Sequence, residues 1–221
     1  MPPLRIAVPI YPGVDMIDVA SSVDPLSRIP TFWTERPREL RVVAKTLDPI
    51  VTRQNVPITP TATFDDYRDG EPLDVLLVPG ADDTSGATGD ACFMDFVRAQ
   101  GAKARWVTSV CTGALVLGTA GLLDGYRATT HWLTLDTLRG ISNEILVVNG
   151  YPRWVNDRNR FTGGGVSSSL DSTLYLISLL TNEQTAKCIQ LVIQYNPQPP
   201  FHTGDPSVAD TDTYLRVAYG R

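Results

Sequence analysis

Thr108-Ser109-Val110-Cys111-Thr112-Gly113-Ala114-Leu115-Val116-Leu117 joins a strand pattern directly to a helix pattern. The residues before Cys111 favour a strand, and those after it are small or apolar and favour a helix. A nucleophile at such a joint defines a nucleophile elbow, here with a thiol in place of the usual hydroxyl. Ser109 and Gly113 are small enough to let the strand and the helix approach closely. We therefore expect Cys111 to be reactive; the alternative is a small buried hydrophobe.

The place of Cys111 at the start of a helix also predicts its ionisation state. Unpaired N–H groups at a helix N-terminus carry partial positive charge, which stabilises a thiolate. The sequence therefore predicts a lowered pKa for the Cys111 thiol.

The composition is that of one α/β domain over residues 1–221. Of the 221 residues, 43% are hydrophobic and 19% charged, which is enough for a sizeable core. The formal net charge of −5 disfavours non-specific binding to nucleic acid. The three cysteines have no paired spacing, and neither a secretory signal nor an apolar run of membrane-spanning length is visible. These features predict a cytoplasmic protein that binds neither nucleic acid nor a membrane.

Small or acidic residues follow three of the predicted strands. Asp18 comes after the first strand, Gly80 and Ala81 after the third, and Cys111 after the fourth. Strands that alternate with helices form a parallel sheet, and the carboxyl ends of its strands share one edge. We expect these residues to converge there. The predicted strands cover residues 4–11, 39–44, 73–79 and 105–110, and helices are predicted over 14–26 and 90–100.

The second half of the chain is predicted to continue the alternation. Cys92 is expected to pack against the core, and Cys188 to lie in the core or in an interface. The tail from Pro197 is expected to extend over the surface or over a partner subunit. The predicted elements are a strand over 127–130, a helix over 132–138, a strand pair at 145–148 and 153–155 turning at Asn149-Gly150, and helices over 169–180 and 183–195.

A reactive thiol needs a group that manages its proton. Of the two histidines, His131 follows a predicted strand and is a candidate, with packing as the alternative, while His202 lies in the tail. No histidine directly follows Cys111, which favours Asp18 as the proton carrier. The apolar neighbours of Asp18 predict partial burial and a raised pKa.

Backbone donors are expected to stabilise negative charge that develops on a substrate. The N–H groups of Thr112 and Ala81 are placed to form such an oxyanion hole. Asp171 is expected to cap or pack a helix. We see no metal-ligand spacing, and Gly163-Gly164-Gly165 lacks the pattern of a dinucleotide site. The sequence therefore predicts neither a metal nor a cofactor.

Five motifs together resemble the ThiJ/PfpI superfamily over nearly the whole chain. The resemblance implies a flavodoxin-like three-layer sandwich with a mostly parallel central sheet. The motifs are Leu76-Leu77-Val78-Pro79-Gly80, Ser109-Val110-Cys111-Thr112-Gly113-Ala114, Gly118-Thr119-Ala120-Gly121-Leu122-Leu123-Asp124-Gly125, Ala128-Thr129-Thr130-His131-Trp132 and Thr162-Gly163-Gly164-Gly165.

Within this superfamily, the chain resembles the isocyanide (isonitrile) hydratases. The signs are Asp18, Cys111 followed by Thr112, and the stretch 194–201. The resemblance implies that the Cys111 sulfur attacks the isocyanide carbon to form a thioimidate, which water converts to an N-substituted formamide. Asp18 would handle protons and Thr112 would support the site. A homodimer without a cofactor is implied, and Gly80, His131 and Ser22 are expected to line the substrate pocket.

Two departures from this branch leave other functions open. Ala81 stands where a second glycine is usual, and Val19-Ala20-Ser21-Ser22 replaces Leu-Thr-Gly-Pro. A related thiol enzyme could act on another small electrophile, such as an α-oxoaldehyde, or on a biosynthetic intermediate. A non-catalytic sensor of a ligand or of redox state is the third possible function, because the motifs also resemble the sensor domain of AraC-type regulators. No basic helix pair is expected after this fold, which disfavours the regulator.

Overall fold

A computed structural model describes residues 2–29, 37–68, 70–208 and 210–219 of the chain. The strands, in chain order, are β1 (Leu4–Pro9), β2 (Arg38–Ala44), β3 (Ile50–Val51), β4 (Pro57–Ile58), β5 (Ala62–Thr63), β6 (Val75–Val78), β7 (Trp106–Ser109), β8 (Arg127–Ala128), β9 (Leu146–Val147), β10 (Trp154–Asp157) and β11 (Arg160–Gly163). The helices are α1 (Met16–Ser27), α2 (Ser85–Gly89), α3 (Ala91–Gly101), α4 (Gly113–Thr119), α5 (Leu135–Ile141), α6 (Ser168–Leu180), α7 (Glu183–Val192) and α8 (Thr211–Tyr219).

Seven strands form the central sheet in the order β10-β11-β7-β6-β1-β2-β5. Every neighbouring pair is parallel except the antiparallel pair of β10 and β11. All four side chains of β6 are buried, as in a strand whose two faces are both covered. The predicted class, an α/β fold with a mostly parallel sheet, is confirmed.

The helices contact one another in two groups. One group is α1, α6 and α7, and the other is α2, α3, α4 and α5. Apolar residues of the strands and helices form one large buried cluster between them. Among the described residues, no helix has the length and apolar character needed to cross a membrane.

The strand pair predicted around Asn149-Gly150 is wrong. β9 pairs with β8 in a separate parallel sheet, and β10 pairs with β11. Gly150 and Tyr151 both have a positive φ, 84° and 53°, so the chain changes direction there. The actual hairpin turns at Arg158, which also has a positive φ of 53°.

Two cysteines differ from expectation, and the tail contains a helix. Within the tail from Pro197, α8 forms over Thr211–Tyr219, and the Asp210 carboxylate accepts a hydrogen bond from the Thr213 N–H in its first turn. Cys92 and Cys188 are both exposed, so Cys92 does not pack in the core and Cys188 does not lie in it. Both lie on the solvent-facing side of an amphipathic helix. The sequence pattern did not predict which face of the helix each cysteine occupies.

Candidate active site

Cys111 occupies the sharp turn between β7 and α4. Its φ is 56°, a left-handed conformation that is costly for a residue with a Cβ. Two hydrogen bonds hold its backbone: the Cys111 N–H donates to the Gly164 carbonyl at 2.8 Å, and the Thr130 hydroxyl donates to the Cys111 carbonyl at 3.0 Å. The strand, the strained turn and the helix are those of a nucleophile elbow.

Asp18 lies in the first turn of α1, beside the elbow. Its side chain is 0% exposed, and the Gly80 N–H donates to Oδ2 at 2.9 Å. The Cys111 thiol lies beside the same carboxyl group and lowers its pKa. The predicted convergence is therefore observed, because β1, β6 and β7 are neighbours in the sheet and their carboxyl ends place these three residues together.

Gly80 is the point where the site's groups crowd most closely. A Cβ at this position would lie 2.5 Å from Thr112 Oγ1 and 2.9 Å from Asp18 Oδ2, closer than real Cβ contacts. A glycine is therefore needed for the strand end to approach both side chains. Gly80 contributes its backbone rather than lining an open pocket.

Thr112 connects the elbow to the loop after β6. Its N–H and its hydroxyl both lower the pKa of the Cys111 thiol. The hydroxyl also accepts from the Ala81 N–H at 2.8 Å and donates to the Ala81 carbonyl at 2.6 Å. The Ala81 N–H is thus already hydrogen-bonded to this hydroxyl, and the roles of the Ala81 and Thr112 N–H groups as oxyanion donors stay predictions.

Burial raises the pKa of Asp18 to about 7, and repulsion from Asp15 adds to the increase. The Gly80 N–H, the Cys111 thiol and the Arg53 guanidinium act in the opposite direction. The raised pKa predicted for Asp18 agrees with this, although the carboxyl is more deeply buried than expected.

The predicted lowering of the Cys111 pKa is wrong. Burial raises the pKa of the thiol, and the Asp18 carboxylate raises it further, while the Thr112 N–H and hydroxyl lower it. The side chain is only 7% exposed, so loss of hydration outweighs the helix N-terminus. Cys111 and Asp18 therefore share at least one proton at neutral pH.

Asp18→Asn is expected to stabilise the protein above pH 7 by up to about 4 kcal/mol relative to wild type. The Asp18 pKa rises from 3.8 in the unfolded chain to about 7 in the folded protein. Between these values the unfolded chain loses a proton that the folded protein keeps, so the wild-type free energy of unfolding falls as pH rises. Urea unfolding of both proteins from pH 4 to pH 8 measures the difference.

The exposed Asp24 on the same helix supplies the control for this comparison. Asp24→Asn should leave the pH dependence of the free energy of unfolding close to that of wild type, since its carboxyl is exposed. A stability difference between Asp18→Asn and wild type that stays constant from pH 4 to pH 8 would contradict the raised pKa.

The expectation that His131 and Ser22 line a substrate pocket stays a prediction, and the structure shows the surroundings of each. His131 begins a short 3-10 helix, and its Nδ1 accepts from the Leu133 N–H at 3.4 Å. Its ring lies against Gly165, and burial lowers its pKa against the opposing effect of Asp82. Thr130, the preceding residue, makes the contact with the elbow. Ser22 is 0% exposed and does not line an open pocket.

A cavity of about 860 Å³ is lined in part by Thr130 and Gly164, which hold the Cys111 backbone, but Cys111, Asp18 and Thr112 are not among its lining residues. Its volume is in the range of small-molecule sites. Asp171, expected to cap or pack, pairs with Arg153 at its wall. Further lining residues include Trp132, Tyr151, Tyr195 and Phe201. Within the described residues, no group of three or more His, Cys, Asp or Glu side chains is arranged to hold a metal ion.

Sequence reasoning missed two residues that shape the site. The Tyr11 hydroxyl donates to the Pro79 carbonyl at 3.0 Å and ties the end of β1 to the end of β6. Arg53 reaches the start of α1 from the hairpin of β3 and β4, with its Nε 3.1 Å from Asp15 Oδ2. Tyr11 could have been noticed at a strand end, whereas nothing in the loop sequence distinguishes Arg53.

Residues 4–179 match the model of the DJ-1/PfpI family. This chain belongs to the DJ-1/PfpI family. It is 39% identical over 206 residues to the isonitrile hydratase of Pseudomonas putida, an alignment that covers 93% of this chain and 85% of the hydratase.

A solved structure and a regulator are also similar. The crystal structure of a ThiJ/PfpI family protein from Pseudomonas syringae superposes with a TM-score of 0.85 and 37% identity, over 98% of this chain and 86% of that protein. The HTH-type transcriptional regulator CdhR of Pseudomonas aeruginosa is 25% identical over 183 residues, which are 80% of this chain and 51% of the regulator. The family resemblance seen in the sequence is confirmed.

Proposed function

We propose that this protein hydrates an isocyanide to an N-substituted formamide, with Cys111 as the nucleophile and Asp18 as the proton carrier. The observation that carries the proposal is the placement of the Cys111 thiol at a strained elbow beside the buried Asp18 carboxyl, where each group shifts the pKa of the other. The 39% identity to the isonitrile hydratase of Pseudomonas putida supports the choice of substrate.

The first step forms a bond between the Cys111 sulfur and the terminal carbon of the isocyanide. The ionised Asp18 takes the thiol proton and delivers it to the same carbon, because that carbon holds the lone pair of the isocyanide. The product is a thioimidate in which sulfur, hydrogen and the doubly bonded nitrogen share one carbon. The Thr112 N–H, which lowers the pKa of the thiol, stabilises negative charge on the sulfur during attack.

The second step adds water to the thioimidate carbon. One water proton goes to nitrogen and the oxygen bonds to carbon, which gives a tetrahedral intermediate. The carbon–sulfur bond then breaks and its electrons return to sulfur, while Asp18 moves the remaining hydroxyl proton to the thiolate. Isocyanide and water are consumed, N-substituted formamide is released, and the thiol and the carboxylate are regenerated.

The rate of formamide production is expected to rise with pH around a midpoint near 7. The reactive form of the pair has a protonated Cys111 thiol and an ionised Asp18 carboxylate. This form appears when Asp18 loses its proton, at a pKa of about 7. Below that midpoint kcat/KM should fall about tenfold per pH unit, and above it a plateau should follow. Initial rates with an aryl isocyanide from pH 5 to pH 9 test this.

The same experiment tests the proposed function itself. Folded protein that releases no N-formamide at any pH would overturn it and direct attention to other small electrophiles. A rate that falls as pH rises through 7 would overturn the role of the ionised Asp18 while leaving the hydration intact.

We infer that the protein forms a homodimer through its last helices and tail. Its cytoplasmic location stays a prediction. Leu191 and Val192 of α7 and Phe201 of the tail are large apolar side chains that are mostly exposed. A second copy of the chain would remove such surface from water.

A further inference from the structure

The hairpin formed by β3 and β4 is fixed to the start of α1. The Gly13 N–H donates to the Val51 carbonyl at 2.9 Å, and the Arg53 N–H donates to the Val14 carbonyl at 3.1 Å. The Met16 N–H donates to the Gln54 side-chain carbonyl at 3.0 Å. The hairpin thus binds the segment that leads into the helix carrying Asp18.

Asp15 is the residue on which this docking centres. It is the N-cap of α1 and only 6% exposed, and its Oδ1 accepts from the Ile17 N–H at 2.9 Å. Its Oδ2 accepts from Gln54 Nε2 at 2.8 Å and from Arg53 Nε at 3.1 Å. A buried carboxylate is costly unless it is paired, and Arg53 supplies the opposite charge.

Asp15 and Asp18 are joined through Gly80. The Gly80 carbonyl accepts from the Asp15 N–H at 2.8 Å, and the Gly80 N–H donates to Asp18 Oδ2 at 2.9 Å. The two carboxyl groups lie within one helical turn of each other and are both buried, where screening by water is weak, and the Asp15 charge raises the Asp18 pKa.

Charged and titratable groups surround Asp18 from several elements. The Asp15 carboxylate opposes its ionisation, and the Arg53 guanidinium favours it. Arg53 Nη1 also lies 3.4 Å from Asp82 Oδ2, and Asp82 in turn acts on His131. The groups that act on Asp18 or are acted on by it are Asp15 on α1, Tyr11 after β1, Arg53 on the hairpin and Cys111 at the elbow.

We propose that Arg53, through its ion pair with Asp15, sets the pH at which the Asp18–Cys111 pair becomes reactive. Arg53 is a positioning residue in this proposal, because it acts through Asp15 and is not assigned a contact with substrate. The proposal rests on the proposed function for its activity readout only, since ionisation of Asp18 can be followed without a substrate.

Removal of the Arg53 charge leaves the Asp15 carboxylate buried without its cation. The repulsion of Asp18 by the Asp15 carboxylate is then no longer offset by the Arg53 charge, and Asp18 keeps its proton to a higher pH. The Arg53 side chain is 47% exposed, so water screens part of its effect. Without the Arg53 charge, we expect the midpoint of Asp18 ionisation to rise by about half to one pH unit. This rise reduces kcat/KM at pH 6 about three- to tenfold and leaves the high-pH plateau of kcat/KM unchanged.

The test compares pH profiles of kcat/KM for wild type, Arg53→Gln and Arg53→Lys. Arg53→Gln should show the raised midpoint, and Arg53→Lys, which keeps the positive charge, should remain closer to wild type. Arg28→Gln is the matched control. Arg28 also pairs with an aspartate, Asp24, at 2.9 Å, but at the other, exposed end of α1. The midpoint of the pH profile should therefore not move in Arg28→Gln.

A second readout separates this proposal from the proposed function. The ¹³Cγ chemical shift of Asp18, identified by its loss in Asp18→Asn, reports ionisation whether or not an isocyanide is turned over. A raised Asp18 midpoint in Arg53→Gln supports the proposal even if no formamide is produced. An unchanged midpoint in folded Arg53→Gln, or an equal shift in Arg53→Lys, would overturn it.

Asp15→Asn provides an independent variant if Arg53→Gln does not fold. Asparagine is as good an N-cap as aspartate, so the start of α1 should be kept. Loss of the Asp15 charge should lower the Asp18 midpoint, which is the direction opposite to Arg53→Gln. A midpoint that stays or rises in Asp15→Asn would contradict the role of this ion pair.

Discussion

Replacing Cys111 with alanine is expected to reduce formamide production from an isocyanide by at least about 10⁴-fold, to the rate of the reaction without enzyme. The mechanism needs a sulfur lone pair at this position, and the Cβ of alanine offers none. Alanine has the same Cβ as cysteine at the φ of 56° and preserves the backbone hydrogen bonds to Gly164 and Thr130, so the fold should be retained.

Steady-state rates with an aryl isocyanide measure this loss, with unfolding temperature as a check on folding. The exposed Cys92 and Cys188 supply the matched control. The double variant Cys92→Ala/Cys188→Ala should retain wild-type turnover and, when quenched with substrate, carry the thioimidate adduct in an intact-mass spectrum. Turnover in folded Cys111→Ala within tenfold of wild type would rule out covalent catalysis by this residue.

Gly113→Ala is expected to destabilise the protein by about 3 kcal/mol or more and to lower its unfolding temperature by roughly 10 °C. A Cβ at Gly113 would overlap the carbonyl oxygen of Val78 and lie 2.9 Å from its carbonyl carbon. These are backbone atoms of β6, so the clash cannot be relieved by turning a side chain. Either α4 or β6 must move.

Gly118→Ala on the same helix is the control for this prediction. A Cβ there would approach the side-chain ends of Ile145 and Leu138 at 3.2 and 3.3 Å, and these can shift. Alanine also favours a helix over glycine by about 1 kcal/mol, so the net change should be small. Thermal and urea unfolding compare the variants; equal stability of Gly113→Ala and Gly118→Ala would show that the contact between α4 and β6 is looser than described.

The elbow and the residues that meet there could be predicted because each depends on a local pattern. Cys111 stands where a strand becomes a helix, and Asp18 and Gly80 each follow an apolar strand. In a parallel sheet, order along the chain and strand direction are enough to bring such positions to one edge.

The features that could not be predicted depend on distant parts of the chain. The direction of the Cys111 pKa is decided by how deeply the thiol is buried and by the nearby Asp18, neither of which a local sequence pattern measures. The turn at Asn149-Gly150 resembles that of a hairpin, yet the partner of β9 is β8. Arg53 lies in a loop whose docking on α1 is a tertiary contact.

The assembly of the site from β1, β6 and β7 has a consequence for the newly made chain. Asp18 and Cys111 lie far apart in sequence, and they meet only after these three strands have paired. The strained turn at Cys111 and its neighbouring carboxyl both belong to the folded chain. The proposed chemistry would therefore begin only with folding, and a misfolded chain would carry the cysteine without its partner.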